Sequence, residues 1–309
     1  MVKISRFGRI GVLAGGPSNE REISLRSGKA VHSALLGEGL DAVLLDIKDD
    51  ISRALSMSAI DVAFIALHGR FGEDGTVQKL LEDINIPYTG SNVAASRLAL
   101  DKIASKEVFI KSNIPVPGYM VFEKRGFNVE DAQALGSPVV VKPQFEGSSI
   151  GLSIVDNKKT LKEALAKAFK YGDKVLLEEY IRGRELTVGI LEDKALPVIE
   201  ILTRNNVYDY EAKYQNSDTR YLVPAPIEKR AREEAASLGI MAHKALGCAS
   251  FSRVDMIMNA EGKLFVLEVN TIPGMTERSL LPKAAGAIGL PFGRLCVRIL
   301  EDTLKSYKL

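Results

Sequence analysis

The chain has 309 residues, a hydrophobic fraction of 46% and a formal net charge of +2 from 41 basic and 39 acidic residues. This length favours two or three domains, and the balanced charge gives no electrostatic basis for binding nucleic acid or an anionic membrane. The three histidines and two distant cysteines exclude a histidine-rich metal site and match no cysteine-based metal or redox motif.

No targeting or membrane signal is evident in the sequence. No apolar run approaches the ~18 residues that a membrane span needs. The first residues enter a strand-like run without the apolar core and cleavage site of a signal peptide. We therefore expect a cytoplasmic protein with two reduced, partly buried thiols.

The first hundred residues alternate between strand and helix patterns. Apolar runs predict strands at 8–14, 41–47 and 61–67, and helical spacing predicts helices at 20–39 and 76–83. This alternation is typical of an open, mostly parallel sheet. We place an N-terminal α/β domain at residues 1–100.

The next segment has the pattern of a small α+β module. After a helix at 101–113 and a proline-rich linker at 114–119, the patterns predict strands at 138–143, 151–155 and 174–181 and an amphipathic helix at 160–172. We expect a central lid domain at 101–182 and a third domain at 183–309. The third domain is predicted to contain further strands, a polar loop at 205–221, helices at 228–246 and 291–304, and a hairpin at 250–270.

Polar residues interrupt both apolar strands of this hairpin. Residues two apart share a face, so Arg253 lies beside Asp255 and Glu268 lies beside Asn270. With the turn at 261–262, Asp255 lies opposite Glu268 and Arg253 opposite Asn270. The residues predicted to point to the other face are Phe265, Leu267 and Val269.

This group of side chains has two interpretations. Carboxylate and carboxamide oxygens suit Mg²⁺ shared with substrate phosphates, and an arginine beside them suits phosphate. The alternative is an Arg253–Asp255 salt bridge on a solvent-exposed face. The apolar residues around the group favour the first.

Two further features suit a nucleotide. Lys142 ends an apolar run and precedes the glycine loop at 146–151, whose amides could surround phosphate. Glu178 and Glu185 flank a strand that could bind adenine and ribose. The alternatives are a lysine that only reaches solvent, an ordinary β-turn and an acidic surface strand. Neither a Walker A motif nor the dinucleotide GxGxxG fingerprint is present.

Longer motifs resemble the D-alanine–D-alanine ligases of the ATP-grasp family over essentially the whole chain. They are GGPSNEREISLRSG, IALHGRFGEDGTVQ, PYTGS, VVKPQFEGSSIG, YDYEAKY, RVDMIM and LEVNTIPGMTERSLLP. The resemblance implies a three-domain ATP-grasp architecture with a parallel-sheet N-terminal domain, a small central lid and a C-terminal catalytic domain with an antiparallel sheet. Ile272 departs from the family, which often has Ser or Ala before the Pro-Gly.

The resemblance also implies a role for each site residue. Two Mg²⁺ ions, with Mn²⁺ as a possible substitute, would be held by Asp255, Glu268 and Asn270. ATP would contact Lys102, Lys142, Glu178, Glu185 and Lys213, with Arg253 on the transferred phosphoryl group. The first D-alanine would meet Glu20 and His68, and the second D-alanine's carboxylate would meet Gly274, Ser279 and Leu280. Ser148 and Tyr214 would form a hydrogen-bonded pair, completed by Glu20, between the lid and a mobile loop.

The implied activity is the ATP-dependent ligation of two D-alanines through a D-alanyl phosphate, for peptidoglycan precursors, by a homodimer. Another ATP-grasp carboxylate–amine ligase, or a D-alanine–D-lactate or D-alanine–D-serine ligase, is the alternative. A nicotinamide dehydrogenase would need the glycine fingerprint that this chain lacks, and the acidic hairpin would have no role in it. A non-catalytic nucleotide-binding module would not need Glu20, His68 and Tyr214 together.

Overall fold

The computed structural model describes residues 7–48, 51, 55, 58–203 and 219–307. Its N-terminal part contains a parallel sheet in the order β2-β1-β3, with strands β1 (Ile10–Gly15), β2 (Ala42–Ile47) and β3 (Val62–Ile65). Alternate strand residues point to opposite faces. Helix α1 (Arg21–Gly37) packs on the face of Val12 and Phe64. Helix α2 (Thr76–Asp83) packs on the face of Leu13 and Ile65, so the predicted parallel sheet is confirmed.

Two further helices lead into the lid. Helix α3 (Val93–Leu100), which the sequence patterns did not predict, is capped by the Asn92 side chain accepting from the amide of Ala95. Helix α4 (Lys102–Lys111) follows at once, with Asp101 as its N-cap. Asp101 also accepts from Gln144 at 2.9 Å, so the start of α4 is attached to the loop after the central lid strand.

The lid is an antiparallel sheet in the order β4-β7-β5-β6. Its strands are β4 (Tyr119–Glu123), β5 (Val139–Pro143), β6 (Ser153–Val155) and β7 (Lys174–Glu179). A short 3-10 helix spans Val129–Leu135, and helix α5 (Lys158–Ala168) buries Leu161 and Leu165 against the sheet. Strand β4 was not predicted, because its half-buried edge position gives a weak pattern directly after the proline-rich linker.

The C-terminal part contains a larger antiparallel sheet in the order β11-β10-β8-β12-β13, with β9 paired to β8. Its strands are β8 (Gly183–Leu191), β9 (Lys194–Ala195), β10 (Ile199–Leu202), β11 (Arg220–Leu222), β12 (Phe251–Asn259) and β13 (Leu264–Asn270). The helices are α6 (Lys229–Ala245), α7 (Leu280–Gly286) and α8 (Phe292–Tyr307). Within the described ranges, no helix is both long and apolar enough to cross a membrane.

The β12–β13 hairpin has the predicted register at the polar residues, but its turn and the pairing next to the turn differ from the prediction. Arg253 pairs with Asn270 and Asp255 with Glu268, as predicted. The turn is not the two-residue turn expected at 261–262, because the amide of Asn259 donates to the carbonyl of Lys263 across three intervening residues. The resulting offset of one residue is corrected by a bulge at Leu267, between the Asp255 and Met256 pairs.

The bulge changes which residues of β13 face the core. Leu264 and Val266 face the C-terminal core before the bulge, and Val269 faces it afterwards. Leu267 instead lines a cavity together with Glu268. The prediction that Phe265 and Leu267 share the face of Val269, away from the polar residues, is therefore wrong. The extra residue shifts the alternation of side chains by one.

Both cysteines are free and buried. Burial raises the pKa of the Cys248 thiol to about 12 and raises that of Cys296 as well. Neither thiol is therefore a reactive thiolate, which agrees with the prediction of buried structural cysteines.

Candidate active site

A cavity of about 790 Å³ lies between the N-terminal loops, the lid loop and the C-terminal hairpin. Its lining includes ten predicted site residues: Glu20, His68, Lys102, Ser148, Arg253, Glu268, Asn270, Gly274, Ser279 and Leu280. A second cavity of about 110 Å³ shares Lys102, Gly147 and Glu268 with it and adds Lys142, Glu185 and Asp255. The fold thus gathers residues from all three predicted domains. Lys213 and Tyr214 lie outside the described residues.

Strand β12 presents a charged pair to the cavity. Arg253 donates from Nε and Nη2 to the two oxygens of Asp255, at 2.8 and 2.7 Å. Thr187 of the neighbouring strand β8 donates to Asp255 Oδ1 at 2.6 Å. The side chains of Arg253 and Asp255 are only 12% and 13% exposed. The salt bridge of the alternative interpretation is present, but it lies inside the site rather than on an exposed face.

Strand β13 presents Glu268 and Asn270 beside this pair. Lys102 Nζ lies 3.4 Å from Glu268 Oε2 and donates to the carbonyl of Glu146 at 2.8 Å. The amide of Ile272 donates to Asn270 Oδ1 at 2.9 Å, which fixes the carboxamide. The Ile272 side chain is buried in the N-terminal core, and this departure from the family motif leaves the polar face intact.

The oxygen atoms of Asp255, Glu268 and Asn270 fit a hard divalent cation. This set has two carboxylates and one carboxamide, and among the described residues no group of three or more His, Cys, Asp or Glu side chains could hold a metal ion. Arg253 and Lys102 now bind the two carboxylates. Such oxygen donors, completed by water and phosphate oxygens, are what Mg²⁺ prefers.

The opposite side of the large cavity holds a buried carboxylate. Glu20 is 7% exposed and accepts a hydrogen bond from the Ser148 hydroxyl of the lid loop. Two glycines permit this approach: a Cβ on Gly69 or Gly147 would lie 2.6 or 2.9 Å from Glu20 Oε2. The sequence patterns did not identify either glycine as part of the site, because only the tertiary approach of the two loops creates the requirement.

His68 is held by two residues that the sequence patterns missed. Its Nε2 lies 3.0 Å from Ser27 Oγ, and its Nδ1 lies 3.4 Å from Glu73 Oε1. Ser27 Oγ also accepts from the amide of Met275 at 3.3 Å. The imidazole is thereby fixed at the cavity wall between α1 and the segment after β13.

The segment before α7 forms the remaining wall. Ser279 Oγ accepts from the Thr276 amide at 3.1 Å and lies 2.9 Å from the Thr276 hydroxyl. A Cβ on Gly274 would approach Ser279 Oγ to 3.1 Å. This tight turn brings Gly274, Ser279 and Leu280 together at the cavity.

Glu178 lies behind the cavities rather than on their surface. It is 2% exposed, and its Oε2 is 2.5 Å from Lys142 Nζ. Burial opposes its ionisation, but Lys106 and Lys142 hold the pKa of Glu178 below its ordinary value. Of the two predicted nucleotide carboxylates, only Glu185 lines a cavity directly.

Family models covering most of the chain match it. A model described as D-ala D-ala ligase C-terminus matches residues 108–301, and one described as D-ala D-ala ligase N-terminus matches residues 47–91. The chain belongs to the D-alanine–D-alanine ligase family. A family member from Citrifermentans bemidjiense, named D-alanine–D-alanine ligase, is 49% identical over 293 residues and 95% of each chain. One of the same name from Pseudoalteromonas translucida is 46% identical over 301 residues, 97% of this chain and 98% of its own.

Solved structures of this family have the same fold. The D-alanine–D-alanine ligase from Bacillus anthracis complexed with ATP superposes with a TM-score of 0.86 at 34% identity, covering 97% of this chain and 98% of its own. The VanG D-Ala:D-Ser ligase from Enterococcus faecalis gives a TM-score of 0.81 at 28% identity, covering 96% and 99%. The ATP-grasp architecture predicted from the sequence is therefore confirmed.

Proposed function

We propose that this protein joins two D-alanines into D-alanyl-D-alanine through a D-alanyl phosphate, converting ATP to ADP and phosphate, for the synthesis of peptidoglycan precursors. One observation carries the proposal: a single cavity is lined by the buried carboxylate of Glu20 and by Arg253 and Glu268, with Asp255 paired to Arg253. The first suits an ammonium group and the second suits a polyphosphate. Nearly full-length relatives at 46–49% identity that bear the name D-alanine–D-alanine ligase support it.

Binding of the first amino acid follows from the charges at the N-terminal side. The carboxylate of Glu20 would pair with the ammonium group of a D-alanine, with His68 beside it. The substrate carboxylate would then face the cationic side of the cavity, where Arg253 and Lys102 lie. This orientation brings a nucleophilic carboxylate toward the phosphates, which is the positioning that phosphoryl transfer needs.

The repulsion between a carboxylate and a phosphoryl group is the main electrostatic obstacle. Arg253 would stabilise the transferred group, and Lys102 and Lys142 would bind phosphate oxygens. Mg²⁺ held by Asp255, Glu268 and Asn270 would neutralise further phosphate charge when bound. Lys213 stays a predicted phosphate contact.

The second D-alanine would bind at the turn of Gly274, Ser279 and Leu280, with its amine directed at the acyl phosphate. Attack by the amine forms the peptide bond and expels phosphate. Water would destroy the acyl phosphate, so the lid must close over it. The Ser148–Glu20 hydrogen bond joins the lid loop to the N-terminal segment and thereby closes one side of the cavity.

The test is an assay of phosphate release and product mass with MgATP and D-alanine alone, L-alanine alone, or D-alanine together with D-serine or D-lactate. We expect D-alanyl-D-alanine and one phosphate per dipeptide with D-alanine alone, and no product from L-alanine. A preference for D-serine as the second substrate would favour the activity named for the Enterococcus faecalis structure. Absence of phosphate release with D-alanine would contradict the proposal.

Several features stay predictions. They are the exact domain boundaries, the Ser148–Tyr214 pair, the use of Mn²⁺, the cytoplasmic location and the homodimer. Ultracentrifugation of the purified protein tests the last of these.

A further inference from the structure

Helix α4 carries two lysines that reach two different sheets. Lys102 and Lys106 are one helical turn apart and share a face. Lys102 Nζ lies 3.4 Å from Glu268 Oε2 of β13, and Lys106 Nζ lies 2.5 Å from Glu178 Oε1 of the lid strand β7. Phe109, on the same helix, is fully buried in the C-terminal core. Helix α4 therefore holds the lid strand from a position fixed in the C-terminal part.

The carboxylate of Glu178 is divided between two lysines. Oε1 faces Lys106 and Oε2 faces Lys142, each at 2.5 Å. Lys106 is 0% exposed, and Glu178 is 2% exposed. Burial lowers the pKa of Lys106, while the charge of Glu178 raises it. The carboxylate of Glu178 therefore has one lysine at each oxygen in a nearly dry site.

Only one of these two lysines faces the nucleotide side. Lys142 lines the smaller cavity together with Asp255 and Glu268, whereas Lys106 lies behind Glu178. A buried carboxylate that loses one partner is strongly driven to use the other, because an uncompensated buried charge is costly. Without Lys106, Glu178 would therefore turn both oxygens toward Lys142.

We propose that Lys106 is a positioning residue of the ATP site, which holds one oxygen of Glu178 so that Lys142 stays available to the phosphates. Lys106 touches no substrate in this arrangement. It acts through Glu178. Because α4 also carries Lys102, which contacts Glu268, the helix fixes the position of Lys142 relative to the C-terminal ligands. The inference rests on the proposed function for its kinetic readout but not for its binding readout.

The first experiment replaces Lys106 with methionine, which keeps the length of the side chain and removes the charge. We expect K106M to raise the KM for ATP by about ten-fold or more, while the KM values for D-alanine stay within about two-fold, since only the nucleotide side is affected. The matched control is K111M, at an exposed lysine on the same helix, which should leave every constant unchanged. An unchanged KM for ATP in K106M, or an equal rise in the D-alanine constants, would overturn the proposal.

The second experiment separates positioning from general structural support. If Lys106 acts only through Glu178, adding K106M to E178Q should cause no further rise in the KM for ATP. Additive effects of the two substitutions would refute the proposal. Should K106M alone fail to fold, this comparison still decides, because the double variant removes both members of the Lys106–Glu178 pair and leaves only Lys142, which lines the smaller cavity.

A direct binding measurement distinguishes a failure of the proposed function from a failure of the role of Lys106. The Kd for MgADP, by calorimetry, should rise in K106M by the same factor as the KM for ATP and stay constant in K111M. If the wild-type protein binds MgADP but forms no dipeptide from D-alanine, the proposed function fails while the role of Lys106 remains testable by this Kd. An unchanged Kd in K106M would reject the role of Lys106 alone.

Discussion

At the scale of single residues, the acidic side chains of the hairpin are already paired with cations. Arg253 binds both oxygens of Asp255, and Lys102 lies beside Glu268. These pairs keep two carboxylates and a carboxamide close together in a mostly buried wall without uncompensated repulsion. A divalent cation and the phosphates of ATP would replace part of these contacts, with the lysine and the arginine turning to the phosphates.

The variant E268Q tests the metal-binding role. It keeps the size of the side chain and removes one charged oxygen donor, so we expect kcat/KM to fall by about 100-fold or more, as for other preorganised groups at a developing charge. The Mg²⁺ concentration at half-maximal activity should rise. The measurement is ADP formation during a Mg²⁺ titration.

The control is E261Q, because Glu261 is exposed in the turn of the same hairpin. It should leave both quantities unchanged. An E268Q enzyme with wild-type activity and Mg²⁺ dependence would show that Glu268 is not a metal ligand.

A second residue-scale prediction concerns pH and stability. His243 is fully buried, 2.7 Å from Ser252 Oγ, and burial lowers its pKa from 6.5 to about 4 although Asp193 opposes this shift. As the pH falls, His243 takes up a proton near pH 6.5 in the unfolded chain but only near pH 4 in the folded protein. The fold therefore loses stability between these two pH values. We expect His243 to lower the free energy of unfolding by about 2 kcal/mol at pH 5 relative to pH 7.

Urea unfolding of the wild type and of H243N at both pH values measures that contribution. The difference in the free energy of unfolding between pH 7 and pH 5 should be about 2 kcal/mol smaller in H243N than in the wild type. The control H32N removes a half-buried histidine on α1 and should keep most of the wild-type difference. An identical pH dependence in H243N and wild type would contradict the assignment.

At the scale of elements, the β12–β13 hairpin depends on two local departures from regular pairing. Its turn contains Gly262 at φ +81°, and its bulge lies at Leu267. The turn sets the register from one end, and the bulge corrects it before the polar pairs. Each departure moves the register by one residue, and together they place Asp255 opposite Glu268.

Gly262 tests the turn without disturbing any packing. A Cβ there would meet nothing within 4 Å, so the cost of G262A comes from the left-handed backbone alone. We expect a loss of about 1 kcal/mol in the free energy of unfolding, measured by urea titration.

Gly37 provides the matched control. It ends helix α1, and a Cβ there would also meet nothing within 4 Å, with a φ outside the left-handed region. The G37A variant should be as stable as wild type or slightly more stable. Equal effects of the two substitutions would show that the turn does not require glycine.

At the scale of the whole molecule, the site exists only when three parts of the chain meet. Besides the Ser148–Glu20 bond, Arg70 of the N-terminal part reaches the lid. Its Nε lies 3.3 Å from Glu146 Oε1, and its Nη2 donates to the carbonyl of Tyr171 at 2.9 Å. These contacts line a neighbouring cavity that shares Glu20 and Gly147 with the large one, and they favour a closed lid.

We therefore expect R70A to weaken lid closure and to admit water to the acyl phosphate. The Arg70 side chain is 53% exposed, and the loss of a partly exposed ion pair predicts roughly a three-fold rise in phosphate released per dipeptide formed. Parallel assays of phosphate and dipeptide give this ratio. R230A, at an exposed arginine on α6, is the control, and a wild-type ratio in R70A would exclude Arg70 from lid closure.

The sequence by itself determined the fold class, the family and most elements, and it predicted the residues of the candidate site. Regular periodicity located α2 at Thr76–Asp83 and the apolar face of α5 at Leu161 and Leu165, because such patterns are local. The long motifs identified the family and predicted its site residues for the same reason: they are contiguous in the chain.

Only the tertiary structure decided how distant segments complete one another. It placed Ser27 and Glu73 around His68, and the bulge that turns Leu267 toward the site. It also buried Lys106, which the local pattern presents as an ordinary polar position on a predicted helix. Burial and pairing of a charge depend on which segments pack against it, and that packing is a property of the whole folded chain.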